Sequence, residues 1–182
     1  MERSIDAAVT VSVPFRQAEV FLRRPPLGAY GEAVDRTDEA CAYRSHLDAE
    51  APAGLAIAHD VDIEILAVRS TSDQVEVTLR WSPTGGGTLL PSFSGTLSGA
   101  PTTEARTHLS LSGSYRVPLG PIGRFGDGVV GNRIARHSID DFLERLGGRL
   151  ETLAAASRTR PHVSPTPAPP DMRREVRKEP SR

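Results

Sequence analysis

The chain has 182 residues, 22 basic and 23 acidic, with 38% hydrophobic and 5% aromatic side chains. That length suits one domain plus a remainder, and the near-neutral balance argues against a whole-chain polyanion binder, so no nucleic-acid partner is expected. The single Cys41 excludes an internal disulfide framework and a cysteine-based zinc site.

Lys178 is the only lysine, so 21 of the basic residues are arginines. Surface chemistry does not demand that ratio, and a GC-rich bacterial coding bias accounts for it. The start, Met1 to Asp6, has no apolar core of a signal peptide, and no apolar run approaches the ~20 residues needed to span a bilayer. A cytoplasmic protein with no stable membrane insertion and a reduced Cys41 is the expectation.

Period-two alternation dominates the first three quarters. Ile5 to Val13 reads as a strand with Ala7, Val9, Val11 and Val13 on one face. Pro14 ends it, and Phe15 to Arg23 reads as a short amphipathic helix carrying Phe15, Ala18, Phe21 and Leu22. Pro25 and Pro26 break that helix, and a second short helix or a loop covers Leu27 to Val34. Ala40 to Asp48 alternates weakly through Cys41, Tyr43, Ser45 and Leu47. Ala56 to Val68 alternates strongly, with Ile57, His59, Val61, Ile63, Ile65 and Ala67 opposite Asp60, Asp62 and Glu64. Gln74 to Trp81 places Val75, Val77, Leu79 and Trp81 together. Leu89 to Ser98 and Thr103 to Val117 complete the set, the latter aligning Leu109, Leu111, Gly113 and Tyr115. Arg69 to Asp73 and Gly99 to Pro101 have the length and composition of hairpin connectors, and Pro83 to Gly87 that of a looser turn.

The last quarter switches period. Val130, Ile134, Phe142, Leu146, Leu150 and Leu153 fit one helix from about Asp127 to Ala156, with Gly147-Gly148 as a place to bend or weaken. Beyond Ser157 the composition changes again: residues 158–182 hold six of the 15 prolines and a net charge of +4, against −5 for residues 1–157. This reads as two parts, a folded domain over 1–157 and a disordered Pro/Arg-rich tail over 158–182. The tail is either a solubilising segment or an arm for tail-mediated protein contact.

The order strand, short helical pieces, antiparallel strands, long helix resembles the START-like, or SRPBCC, superfamily with its helix-grip fold. Leu79-Arg80-Trp81, Leu90-Pro91, the run Leu111 to Gly120, Gly123, Asp127 and Arg133-Ile134-Ala135 resemble bacterial members without an assigned activity. Val117 stands where that pattern has a first proline, and Arg136 where an acid is common. The resemblance implies an α+β fold: a curved antiparallel sheet around a long C-terminal helix, two short helical pieces after the first strand, and a cavity between sheet and helix. It implies an apolar small-molecule or lipid-like ligand, bound without catalysis and without a cofactor. The alternatives are a polyketide-cyclase-like enzyme using the same cavity and a protein-interaction module. The residues it places around the cavity are Trp81, Leu79, Phe93, Tyr115, Ile134 and His137, with core packing an equal alternative for Trp81.

Other chemical constellations are weaker. Gly120 to Gly128 has the wrong glycine spacing for a dinucleotide fingerprint, and no strand follows its helix; Asp127 fits an N-cap better. The Gly85-Gly86-Gly87 loop lacks the Lys-Ser/Thr pair of a phosphate loop. Alternation puts His59 on the face opposite Asp60, Asp62 and Glu64, so they cannot share a metal, and no metal site is expected. His137 and Asp141 are four apart on the helix, within reach for a base and its orienting acid, but a surface or cavity-rim pair is the expected reading.

Overall fold

The computed structural model describes residues 2–24, 30–36, 41–51, 55–84, 92–116 and 128–159. Along them run β1 (Glu2–Val11), α1 (Phe15–Arg23), β2 (Glu32–Arg36), β3 (Cys41–Ala51), β4 (Leu55–Ser70), β5 (Val75–Pro83), β6 (Ser92–Thr103), β7 (Arg106–Arg116) and α2 (Gly128–Thr159). The strands form one sheet in the order β1-β7-β6-β5-β4-β3-β2, every neighbouring pair antiparallel. Strands β2 to β7 are a meander of sequential neighbours, and β1 closes the far edge on β7.

The concave face is aliphatic and aromatic, as alternation requires: Val75, Val77, Leu79 and Trp81 are all buried, as are Leu109, Leu111 and Tyr115. Against it lies α2, burying Ile134, Ala135, Ile139, Phe142, Leu143, Leu146, Leu150 and Ala154. The backbone of α2 approaches most closely at β1 and β3, near the two edges of the sheet. Ser12 N–H donates to the Glu151 carboxylate at 2.7 Å, tying helix to strand end. A Cβ on Gly147 would lie 2.9 Å from Val11 Cγ1, so this glycine lets the helix rest on β1. It does not break α2, which continues through Gly147-Gly148 to Thr159, two residues past the expected domain edge. The other helix, α1, buries Phe15, Ala18 and Leu22 over the concave face beside the start of β5 and the end of β6.

Three local expectations are corrected. The second helical piece expected within 27–34 is not formed by its described part: Tyr30 and Gly31 bend, and Glu32–Arg36 pairs with β3, Ala33 opposite Tyr43. Gly99 to Pro101 is strand rather than connector; the turn falls at Glu104-Ala105, and the register shifts just beyond Pro101, whose ring has no ladder donor. In β4 a register shift between Ile65 and Ala67 turns Ala67 outward and leaves Leu66 46% exposed. Period two fails there because one extra residue flips every side chain beyond it. The Leu119 to Asp127 turn with its N-cap, the Gly85 to Gly87 loop and the tail beyond Thr159 lie outside the described residues.

Candidate functional site

The sheet brings one register row across all seven strands. Arg3 faces Tyr115, Tyr115 faces Phe93, Phe93 faces Trp81, Trp81 faces Ile63, Ile63 faces Tyr43 and Tyr43 faces Ala33. Four of these are buried aromatic rings on the concave face. The next row inward, toward α1, carries the paired glycines Gly95 and Gly113. A Cβ on either would come within 2.5 or 2.7 Å of the Phe93 ring, so the missing side chains are what let that ring lie down on the sheet. Trp81 stacks on Phe93, centroids 4.4 Å apart and planes 25° from parallel. Phe142 of α2 meets the other side of this pair, 5.4 Å from Trp81 and tilted by 47°. The space between the central strands and the helix is thus filled, at this end, by stacked rings rather than by backbone approach.

Two hydroxyls flank the rings. Tyr115 donates to Asn132 Oδ1 at 3.2 Å, joining β7 to the first turns of α2. Tyr30, 1% exposed, packs its ring 5.6 Å from Tyr43, and its hydroxyl has no hydrogen-bond partner among the described residues. Burial, helped by Tyr43, pushes its ionisation far above the usual phenol range.

A cavity of about 290 Å³ opens where the strands end. Among the described residues the pairing of β5 with β6 runs as far as Trp81 and Phe93; next to them Ser82 pairs with β4 and Ser92 with β7. The cavity forms a notch at this end of β5, β6 and β7. Its walls include Trp81 and Phe93 together with outer-face side chains: Arg116 and Ser92 in one row, Ser114, Ser94 and Arg80 in the next.

Of the six residues expected at the cavity, Trp81 and Phe93 line this notch. Leu79, Tyr115 and Ile134 are buried in the same core, away from it. His137 is exposed. The His137–Asp141 pairing is corrected as well: both carboxylate oxygens of Asp141 accept from Arg145 Nε at 2.9 Å, one helical turn on. Ser138 is buried and donates to the Ile134 carbonyl. Outside, Asp60, Asp62 and Glu64 form a charge ladder with neighbouring strands, to His46 at 2.9 Å, Arg44 at 3.0 Å and Arg80 at 2.6 Å. That ladder holds the Arg44 guanidinium still more firmly protonated. Alternation along the sequence does not single out Tyr30 or Arg116, nor the notch that Arg116 borders.

No protein-family model matches the sequence, and no curated protein matches it. Solved structures do. The chain is similar to an aromatase/cyclase from a Streptomyces species, at 18% identity over 86% of this chain and 98% of the other, with a TM-score of 0.50. It is similar to a conserved protein from Geobacillus kaustophilus, at 12% identity over 84% and 96%, with a TM-score of 0.51. At these identities the likeness concerns the fold alone: this is the helix-grip fold, a curved seven-stranded antiparallel sheet closed on a C-terminal helix. No helix among the described residues is long and apolar enough to cross a membrane.

Proposed function

We propose that this protein binds an apolar small molecule, without catalysis, at the aromatic end of the space between sheet and α2. The observation that carries the reading is the Phe93–Trp81–Phe142 stack above the Gly95–Gly113 pair, two of whose residues, Trp81 and Phe93, also border the notch. Aromatic rings stacked on one another beside a cavity can part around a flat or chain-like apolar guest at less cost than an interlocked aliphatic core. The fold's neighbours support such a ligand in kind: one carries the description aromatase/cyclase.

The second reading, a polyketide-cyclase-like enzyme, draws on the same neighbour. It is disfavoured by the placement of its two best candidates, since His137 faces solvent and Asp141 is held by Arg145. Residues 160–182 are proposed, on composition alone, to be a separate solvated arm.

Native mass spectrometry of the purified chain should show a co-purified small molecule that leaves on denaturation. Titration with a neutral naphthylamine probe should quench the emission of Trp81, the only tryptophan, and saturate. A ligand seen by mass but silent at Trp81 would move the site elsewhere; turnover of a polyketide-like substrate would favour the enzyme.

A further inference from the structure

Three buried polar side chains close their hydrogen bonds within the fold. Glu19 accepts from Ser70, Thr107 donates to the Val13 carbonyl and Ser138 to the Ile134 carbonyl. The Tyr30 hydroxyl is the one fully buried side-chain polar atom among the described residues that has no partner. Leaving such a donor unmet costs free energy, so it marks a place where an acceptor is gained by binding. The backbone fixes that place. Gly31 has a φ of 135°, and a Cβ on it would collide with the Arg44 carbonyl, so glycine alone lets the chain lie this close to β3. Beside it the Tyr30 ring packs 5.6 Å from that of Tyr43. Tyr43 pairs with Ile63 and Ile63 with Trp81, which puts Tyr43 two strands, or about 10 Å, from the tryptophan along one buried row. A naphthyl ketone laid across the row spans that distance. Burial keeps the phenol un-ionised, so it offers a proton and no charge.

We infer that Tyr30 is the polar anchor of the ligand: its hydroxyl donates to a carbonyl oxygen of a neutral molecule whose apolar body contacts Trp81, Phe93 and Phe142. The inference rests on the reading above and narrows it from apolar molecules to apolar molecules with one neutral acceptor. Stacked rings hold a guest without fixing which way it points. A single buried donor at one end of the row fixes its direction, the use to which apolar pockets put their few polar groups.

The test uses acetylnaphthalene and ethylnaphthalene with the full chain, two compounds that differ in the carbonyl. Both are titrated by the quenching of Trp81 emission. Tyr30→Phe should weaken the ketone about three- to ten-fold, the scale of one neutral hydrogen bond, and leave the hydrocarbon unchanged. The infrared carbonyl stretch of the bound ketone should lie below its position in hexane, and return to it in the variant. A stretch in the parent that matches hexane would overturn the inference without any variant; that is the outcome if an ordered water meets the hydroxyl instead. A lowered stretch that Tyr30→Phe leaves unmoved would overturn it too, as would a variant that weakens both compounds alike. In each of those cases binding of the hydrocarbon to the parent leaves the apolar site standing. No response of Trp81 to either compound would overturn both.

Discussion

The two ends of the concave face are built from the same strands and differ in what fills them. At the α1 end, Val75, Val77, Leu97, Leu109 and Leu111 pack with Ala18 and Leu22, all fully or almost fully buried. Polar ties lock that end. Thr107 Oγ1 donates to the Val13 carbonyl at 2.7 Å, and Ser70 Oγ donates to the Glu19 carboxylate at 2.6 Å. At the other end stand aromatic rings, a glycine pair and a tyrosine hydroxyl with no partner among the described residues. Branched aliphatic side chains interlock and leave no room for a guest. Stacked rings on a bare patch of sheet slide and part more readily. One end is an interlocked aliphatic core; the other, on the proposed function, is the adaptable one, a contrast within single strands only 9 to 12 residues long.

This contrast orders the expected effects of substitution. Phe142→Ala removes the helix's ring from the stack and should cost about 3–5 kcal/mol by chemical denaturation, the largest loss of the set. Leu97→Ala, at the α1 end, should cost about 2–5 kcal/mol. The two should separate on adding an apolar ligand. The space left by Phe142 adjoins the proposed site and should be refilled, raising the melting temperature of that variant more than that of the parent. The space left by Leu97 is sealed under α1 and should gain nothing extra. Equal rescue at both would erase the distinction between the ends.

Much of this architecture was legible beforehand, for a physical reason. Alternation is an unambiguous signal where one face is buried, which is why β1, β5 and β7 fall where Ile5–Val13, Gln74–Trp81 and Thr103–Val117 were read. It misleads where the ladder is irregular. Leu66 and Ala67 follow a bulge that no pattern announces, and Glu32–Arg36 is too short to alternate visibly. Of the proposed site, strand parity alone puts Trp81 and Phe93 on the buried face. It cannot show that Arg116 borders the notch, because that depends on how the ends of three strands come together. His137 shows the opposite failure: helical spacing put it within reach of Asp141, and only the structure reveals that Arg145 takes that carboxylate.

The latch at the α1 end sharpens the contrast through pH. Hydrogen bonding from Ser70 holds the Glu19 carboxyl below the usual carboxylate range, against the opposing effect of burial, with Arg16 and Arg23 assisting. A carboxyl depressed in the folded state contributes stability above its unfolded pKa and loses it as pH falls through the folded one. Ser70→Ala should therefore cost about 1 kcal/mol at neutral pH. It should also flatten the loss of stability on acidification below the ordinary carboxylate range. A variant whose acid limb matches the parent's would mean that the arginines, not Ser70, set the carboxyl's ionisation.

The smallest effect is expected at the adaptable end, and its sign is opposite. Tyr30 keeps a buried hydroxyl for which no partner exists among the described residues, and a buried donor left unmet costs free energy that a phenyl ring of the same shape avoids. Tyr30→Phe should thus be neutral to stabilising by about 1 kcal/mol, where truncations at the α1 end only destabilise. The alkaline limb separates this from simple repacking. Burial raises the Tyr30 ionisation above that of the unfolded chain, so its share of stability is complete below about pH 10 and fades as pH rises above it, when the unfolded tyrosine ionises and the folded one does not. Tyr30→Phe has no such group to lose, and its stability should fall less steeply between about pH 10 and the alkaline end of the titration. A destabilised variant with an unchanged alkaline limb would show that the hydroxyl is satisfied in solution, and that this end is as closed as the other.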